Sequence, residues 1–303
     1  MKQIKTVGIL SPGDMGHSIG NLLRENGLRV ITCLQGRSER THALAAEAGI
    51  EGVPSYGDLV TQADIILSVL VPAQAPNVAQ RVVQAVSDTG AELVYADCNA
   101  IAPQTARQIG ELVVGAGGTF IDASIVGGPP RGDSHPRFYV SGPDTAPFEA
   151  LGEYGLQVKV LGKEVGLASA IKMCYAAWTK GSTALFTELL IAAKALGVFD
   201  ALEQEFQASQ SMMILRMQRL PAMPIKSRRF VGEMVEISKA FGDVGLTPKI
   251  LAGAADIYRF VGETHLADRT PEDTSPLPSL KEMLALLVAH LPDESLVDQP
   301  ANT

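Results

Sequence analysis

The first half of the chain alternates short β-branched apolar runs with amphipathic segments. Runs at Thr6–Leu10, Arg29–Leu34, Ile65–Leu70, Leu93–Ala96 and Thr119–Asp122 read as strands. Between them, apolar residues recur at helical spacing in Met15–Asn26, Arg40–Ala48, Ala75–Val86 and Ala102–Gly115. Strands alternating with helices predict βαβ units and a mostly parallel, doubly wound sheet with helices on both faces. Weaker strand patterns at Arg137–Ser141 and Val158–Leu161 extend that sheet.

After Gly166 the period changes. Ala168 to Leu196 reads as one long helix, followed by helical patterns at Leu202–Met217, Val231–Val244, Pro248–Glu263 and Ser279–Leu291. Turn signals separate them at Leu220-Pro221, Met223-Pro224, Gly245-Leu246 and the Pro-rich 270–278 stretch. The predicted architecture is an α/β domain over residues 1–165 and an all-helical domain over 166–303, joined by the long helix.

Size and composition narrow the function classes. The chain has 303 residues, 46% of them hydrophobic and 19% charged, enough for a sizeable core. A net charge of -8 argues against phosphate-backbone binding, so no nucleic-acid partner is expected. An anionic small substrate would need a local basic pocket. Cys33, Cys98 and Cys174 lie far apart without metal-ligand spacing, which fits a reduced, cytoplasmic setting. The five histidines are scattered as well, and no metal site is expected. Neither a signal-peptide pattern nor an uninterrupted apolar span is present, so no membrane partner is expected.

The candidate chemistry begins in "VGILSPGDMG". A strand runs into a glycine turn and then a helix, whose N-terminus offers unpaired N–H groups and positive dipole to an anion. Gly13 and Gly16 match the second and third glycines of the dinucleotide fingerprint, which admit the pyrophosphate and pack helix on strand. Ser11 stands where the first glycine makes the tight turn, and Pro12 restricts the backbone beside it. Ser11, Pro12, Gly13, Asp14, Met15 and Gly16 are therefore the candidate pyrophosphate loop. About 20 residues on, where an NAD site carries an acid, the chain reads "CLQGRSERT". Arg37, Ser38 and Arg40 suit a 2′-phosphate, predicting a preference for NADP(H) with NAD(H) as the lesser cofactor. Val71 and Pro72, past the Ile65–Leu70 strand, and Asn99 complete the cofactor set.

The long helix supplies a proton-transfer candidate. In "GLASAIKMCYAAWTKG", Lys172, Tyr175, Ala176 and Thr179 share one face, amid small residues that permit close approach of a helix or a ligand. Partial desolvation there would lower the pKa of Lys172 toward the range useful for general acid/base work. The alternative is a solvated helix lysine. Tyr175 and Lys180 sit one residue too far apart for the Tyr-x-x-x-Lys arrangement.

With these motifs in view, the chain resembles the 3-hydroxyacid dehydrogenase family, relatives of 6-phosphogluconate dehydrogenase, over most of its length. "SPGDMG" answers the family's G-x-G-x-M-G, "GRSERT" its Arg-bearing turn, "DCNAIAP" its D-x-S-T-x-x-P and "DASIVGG" its DAPVSGG substrate loop. Lys172 falls on the lysine of its G-x-x-x-x-x-K-x-x-N-N motif. The resemblance implies an NAD(P)-binding Rossmann domain, a helical substrate and dimerisation domain, a homodimer, and Lys172 as general acid/base. It implies substrate contacts from Ser124, Val126, Gly127 and Gly128, with Glu233 left from the family's K-D-L segment. Departures cluster there: Val126 replaces a serine, and Tyr175 and Ala176 replace the paired asparagines. Tyr175 could replace an asparagine's hydrogen bond to substrate or be a packed aromatic.

The function expected from these residues is interconversion of a small hydroxy acid or polyol acid with its oxo form. Two alternatives stand beside it: an imine reductase of the same architecture, and a non-catalytic dinucleotide sensor.

Overall fold

The computed structural model describes residues 3–132, 134–270 and 273–292 and divides the chain into two compact units. The first comprises residues 1–175 and 239–246, the second residues 176–238 and 247–303.

In the first unit the order is β1 (Thr6–Leu10), α1 (Asp14–Glu25), β2 (Arg29–Cys33), α2 (Glu39–Glu47), β3 (Glu51–Val53), α3 (Tyr56–Gln62) and β4 (Ile65–Ser68). Then come α4 (Ala75–Thr89), β5 (Val94–Asp97), α5 (Pro103–Gly115), β6 (Thr119–Val126), β7 (Arg137–Ser141), α6 (Ala146–Glu149), β8 (Gln157–Gly162) and α7 (Leu167–Ala176). The strands form one sheet in the order β3-β2-β1-β4-β5-β6-β7-β8. Every neighbouring pair is parallel except β6 with β7.

The sheet buries apolar residues on both faces, as helices on either side require. On one face Ile19 and Leu23 of α1 and Ala45 of α2 pack with Val7, Ile9 and Ile121. On the other Leu59 of α3, Val82 of α4 and Ile109 of α5 pack with Ile31, Ile66 and Tyr95. The strand order reverses between β1 and β4, and a ligand crevice opens beyond the carboxyl ends of the strands at such a point.

The second unit is helical: α8 (Ser182–Ala195), α9 (Phe199–Ser209), α10 (Met212–Arg219), α11 (Ser227–Asp243), α12 (Lys249–Gly262) and α13 (Leu280–Ala289). The last turn of α11 groups with the first unit. The segment read as one helix from Ala168 to Leu196 is α7, a π turn at Ala177–Gly181, and α8 in succession. Leu202–Met217 is two helices, broken at Gln210 and Ser211, where polar side chains interrupt the apolar face. Among the described residues no helix is long and apolar enough to cross a membrane.

Candidate functional site

The carboxyl edge of the parallel strands collects most of the residues singled out above. Beyond β2 lie Arg37 and Ser38, beyond β1 the loop Ser11–Gly16, and beyond β4 Val71 and Pro72. Asn99 follows β5, and Gly127 and Gly128 follow β6. From β2 to β6 this edge spans roughly 19 Å, four interstrand steps.

The glycine loop has the form the fingerprint requires. Ser11 has φ of +61°, the left-handed conformation that favours glycine, and is the one non-glycine residue with positive φ among those described. A Cβ on Gly16 would lie 2.8 Å from the Ser11 carbonyl oxygen, so glycine there lets α1 meet β1 closely. A Cβ on Gly13 would meet nothing nearer than 4.0 Å, so its α-carbon faces open space. Gly13 caps α1 without a side-chain hydrogen bond, leaving the first-turn N–H groups without intrahelical partners. Ser11→Gly is expected to raise stability by about 0.5–1 kcal/mol, because relief of left-handed strain exceeds the added chain entropy of glycine. Urea unfolding checks this; a lower midpoint would show that the turn is unstrained.

At the β2 end a cavity of about 560 Å³ is lined by Gly36, Arg37, Tyr56, Gln74, Asn77 and Arg81, among others. Arg37 points its guanidinium to the Tyr56 hydroxyl at 3.5 Å. Ser38 caps α2 by accepting from the Thr41 N–H at 3.3 Å. Arg40 lies on the first turn of α2 and is not part of that lining. Sequence reasoning missed Arg81, because only the fold brings α4 to the cavity that Arg37 lines.

Between these ends, Asn99 ties the strand edge together. Its side-chain oxygen accepts from the Leu70 N–H, and its amide donates to Ser68 Oγ at 2.9 Å. Its own N–H donates to Asp97 Oδ1 at 2.9 Å. Asp97 pairs in register with Asp122 across β5 and β6, and both are buried. Burial pushes the Asp97 carboxyl up to about 7, against the hydrogen bonds from Asn99.

At the β6 end, the Lys172 ammonium donates to the Ile125 carbonyl at 2.6 Å, beside Val126 and the two glycines. The helix bearing this lysine is fixed by β6. Asp122 Oδ2 accepts from the N–H groups of Gly166 at 2.9 Å and Ser169 at 3.1 Å, and from Ser141 Oγ at 3.1 Å. Asp122 Oδ1 accepts from Ser169 Oγ at 2.7 Å. Burial raises this carboxyl, and the four donors oppose the shift. The Ser124 hydroxyl is buried and donates to the Ala168 carbonyl. Val126 is buried, and Tyr175 is half-exposed on the last turn of α7.

A clamp on α1, outside the motifs named above, comes from Arg131 in the loop after β6. Arg131 Nη2 pairs with Asp14 Oδ1 at 2.9 Å, and Nε donates to Ser18 Oγ at 2.9 Å. His17 contacts the same guanidinium at 3.0 Å and the Gly13 carbonyl at 2.7 Å. Asp133, the next acid in that loop, lies outside the described residues.

Glu233 belongs to the helical unit. It is buried, ion-paired with Lys180, and lies 3.4 Å from Arg229 Nε.

Three features of the first unit fit a nicotinamide dinucleotide: the uncapped α1 terminus, the open face of Gly13 and the Arg37 cavity. Comparison with known proteins agrees. Residues 6–153 match the NAD binding domain of 6-phosphogluconate dehydrogenase, and residues 193–261 match a domain of unknown function, DUF1932. An uncharacterised 28.5 kDa protein from the 7S RNA 5′ region of Methanothermus fervidus is 26% identical, over 85% of this chain and 99% of its own length. The conserved protein MTH1747, of unknown function and structurally similar to 3-hydroxyacid dehydrogenases, is 30% identical. That match covers 84% of this chain and 97% of the other, with a TM-score of 0.62. Mycobacterium tuberculosis 3-hydroxyisobutyrate dehydrogenase shares the fold at 17% identity, covering 94% and 99% of the two chains, with a TM-score of 0.64. Imine reductases at 17–19% identity share the fold too. The chain thus belongs to the 3-hydroxyacid dehydrogenase-like, 6-phosphogluconate dehydrogenase-related family of NAD(P)-dependent oxidoreductases, in the branch that carries a DUF1932 domain.

Proposed function

We propose that this protein is an NADP(H)-preferring oxidoreductase that interconverts a small hydroxy acid or polyol acid with its oxo form, with Lys172 as general acid/base. The observation that carries this reading is the Lys172 ammonium, hydrogen-bonded to the Ile125 carbonyl at the strand edge that bears the glycine loop. The bound nicotinamide supplies or accepts the hydride. Reduction of a carbonyl leaves an alkoxide, and an ammonium beside it both stabilises and protonates that oxygen. In oxidation the neutral amine takes the hydroxyl proton. The Ile125 carbonyl orients one of the three ammonium donors, and the backbone of Gly127 and Gly128 forms the adjoining rim. The same reading makes Tyr175 a substrate hydrogen-bonding partner on the lysine-bearing helix. It also has the cytoplasmic chain act as a homodimer, which would bury the exposed Leu185, Leu189 and Leu196 of the second unit.

The preference for NADP(H) rests on Arg37 and the cavity it lines. Arg37→Gln is expected to raise KM for NADP(H) about tenfold or more, the loss of one charge-assisted hydrogen-bonding partner, with KM for NAD(H) little changed. Steady-state absorbance of the reduced cofactor, over hydroxy acids and sugar acids, provides the measurement. Equal losses with both cofactors would remove Arg37 from the 2′-phosphate.

One observation favours imine reduction as a second reading. Val126 and Ala176 are both buried apolar residues where the family resemblance places a hydroxyl and an amide. Retention of Lys172 favours the hydroxy-acid reading, and an imine panel run beside the acids separates the two.

A further inference from the structure

The helical unit contains a second basic site with no part in the reading above. A cavity of about 460 Å³ is bordered by Lys180, Arg216 and Arg219, and its apolar wall includes Phe186, Met223 and Phe230. That volume falls in the range of small-ligand pockets.

The local charge is at odds with the chain as a whole. The protein carries a net charge of -8, yet three cations gather around this cavity. Lys180 pairs with Glu233 and lies 4.5 Å from the centre of the Phe230 ring. Arg216 donates to Ser182 Oγ at 2.7 Å and lies 5.5 Å from the centre of the Phe186 ring. Neither Arg216 nor Arg219 forms an ion pair with a carboxylate among the described residues. Both stand on the last turn of α10, where a helix dipole favours cations. The dipole accounts for their place on the helix but not for their convergence with Lys180 on one cavity.

Local backbone geometry presents the lysine. Lys180 lies in the π turn Ala177–Gly181, and π turns occur frequently at functional sites. The Tyr258 hydroxyl donates to the Lys180 carbonyl at 2.9 Å and pins that turn, and Tyr258 itself borders the cavity. Guanidinium groups bind carboxylates in bidentate fashion, and the aromatic wall suits an apolar body.

We propose that this cavity binds an organic carboxylate with an apolar or aromatic body, the acid group held by Arg216 and Arg219 beside Lys180. The proposal concerns binding alone and is read without turnover, so it stands or falls separately from the oxidoreductase assignment.

The test is a fluorine NMR titration of the purified full-length chain with fluorobenzoate, fluorobenzamide as the neutral isostere, and inorganic phosphate as competitor. Saturable binding of fluorobenzoate is expected, weakened about tenfold in Arg219→Gln and further in the Arg216→Gln, Arg219→Gln pair, each losing a charge-assisted contact. Arg219→Lys should retain part of the affinity, and thermal melts confirm that each variant is folded. Absence of saturation, equal affinity for the amide, or unchanged affinity in the double variant would overturn the proposal. Displacement by inorganic phosphate at concentrations equal to those of fluorobenzoate would overturn the apolar part of the ligand assignment.

Discussion

Lys172→Met is expected to lower kcat by on the order of a thousandfold while the protein still binds NADPH, because general acid/base groups commonly contribute 10²–10⁴ in rate. The prediction separates the parts of the site. Dinucleotide contacts are assigned to the α1 terminus and the Arg37 cavity, whereas the lysine stands at the β6 end. Methionine keeps the unbranched shape and the helix propensity of lysine while removing the donor, so α7 should remain formed. Steady-state turnover and fluorescence titration of NADPH, on the same preparation, read the two quantities independently. A variant within about tenfold of wild-type kcat would reduce Lys172 to a packing residue, since a tenfold effect is only about 1.4 kcal/mol of barrier. Absence of turnover in both proteins, with NADPH still bound, would instead support the sensor reading.

Why this lysine could be found in the sequence, and its surroundings could not, follows from how each is encoded. The parallel sheet was legible because buried strands leave continuous apolar runs: β1 coincides with the run at Thr6–Leu10, and β4 opens the run at Ile65–Leu70. The short edge strand Glu51–Val53 gave no such run, since three residues carry no period. The helix Tyr56–Gln62 was hidden by its polarity, although Ser55 and Asp58 carried a capping signal. The Ser55 hydroxyl accepts from the Asp58 N–H at 3.1 Å. The break at Gln210 was missed because apolar spacing resumes in phase on its far side. Nothing in "AWTKG" marks a π turn, which depends on packing rather than on residue type.

The site divides in the same way. The loop Ser11–Gly16 was legible because local backbone geometry selects its residues, and the φ of Ser11 shows that the turn demanded by the fingerprint survives without its glycine. Arg81 on the cavity of Arg37, Glu233 against Lys180, and Arg131 on Asp14 join residues distant in sequence, and one sequence holds no record of such proximity. The segment "DASIVGG" shows the limit most clearly. The family resemblance marks it as a substrate loop, whereas two of its side chains, Asp122 and Ser124, are bonded to the helix that carries the lysine.

That arrangement predicts that Asp122→Ala will destabilise the protein by about 3–5 kcal/mol, the cost of leaving several buried donors unpartnered. Oδ2 alone accepts from Gly166, Ser169 and Ser141, and Oδ1 accepts from the Ser169 hydroxyl. Removal of the carboxylate leaves these groups with no replacement solvent. It also removes a negative charge from the positive end of α7. Asp122→Asn keeps the shape but turns one acceptor into a donor facing other donors, so its cost should fall between wild type and alanine. Activity should fall with stability, for a positional reason. Strand β6 holds α7 at three points: the Asp122 carboxylate, the Ser124 hydroxyl on Ala168, and the Ile125 carbonyl on Lys172. Loss of the first lets the helix start shift, and a displacement of about 1 Å at a reacting group can cost on the order of a hundredfold in rate. Urea unfolding with kcat at a denaturant-free temperature well below the melting midpoint separates the two effects. A wild-type midpoint in Asp122→Ala would show that the carboxylate does not anchor α7. A lowered midpoint with wild-type kcat would show that the position of Lys172 is set by the remaining anchors of α7, Ser124, Ile125 and the Ser141 hydroxyl that accepts from the Ala168 N–H.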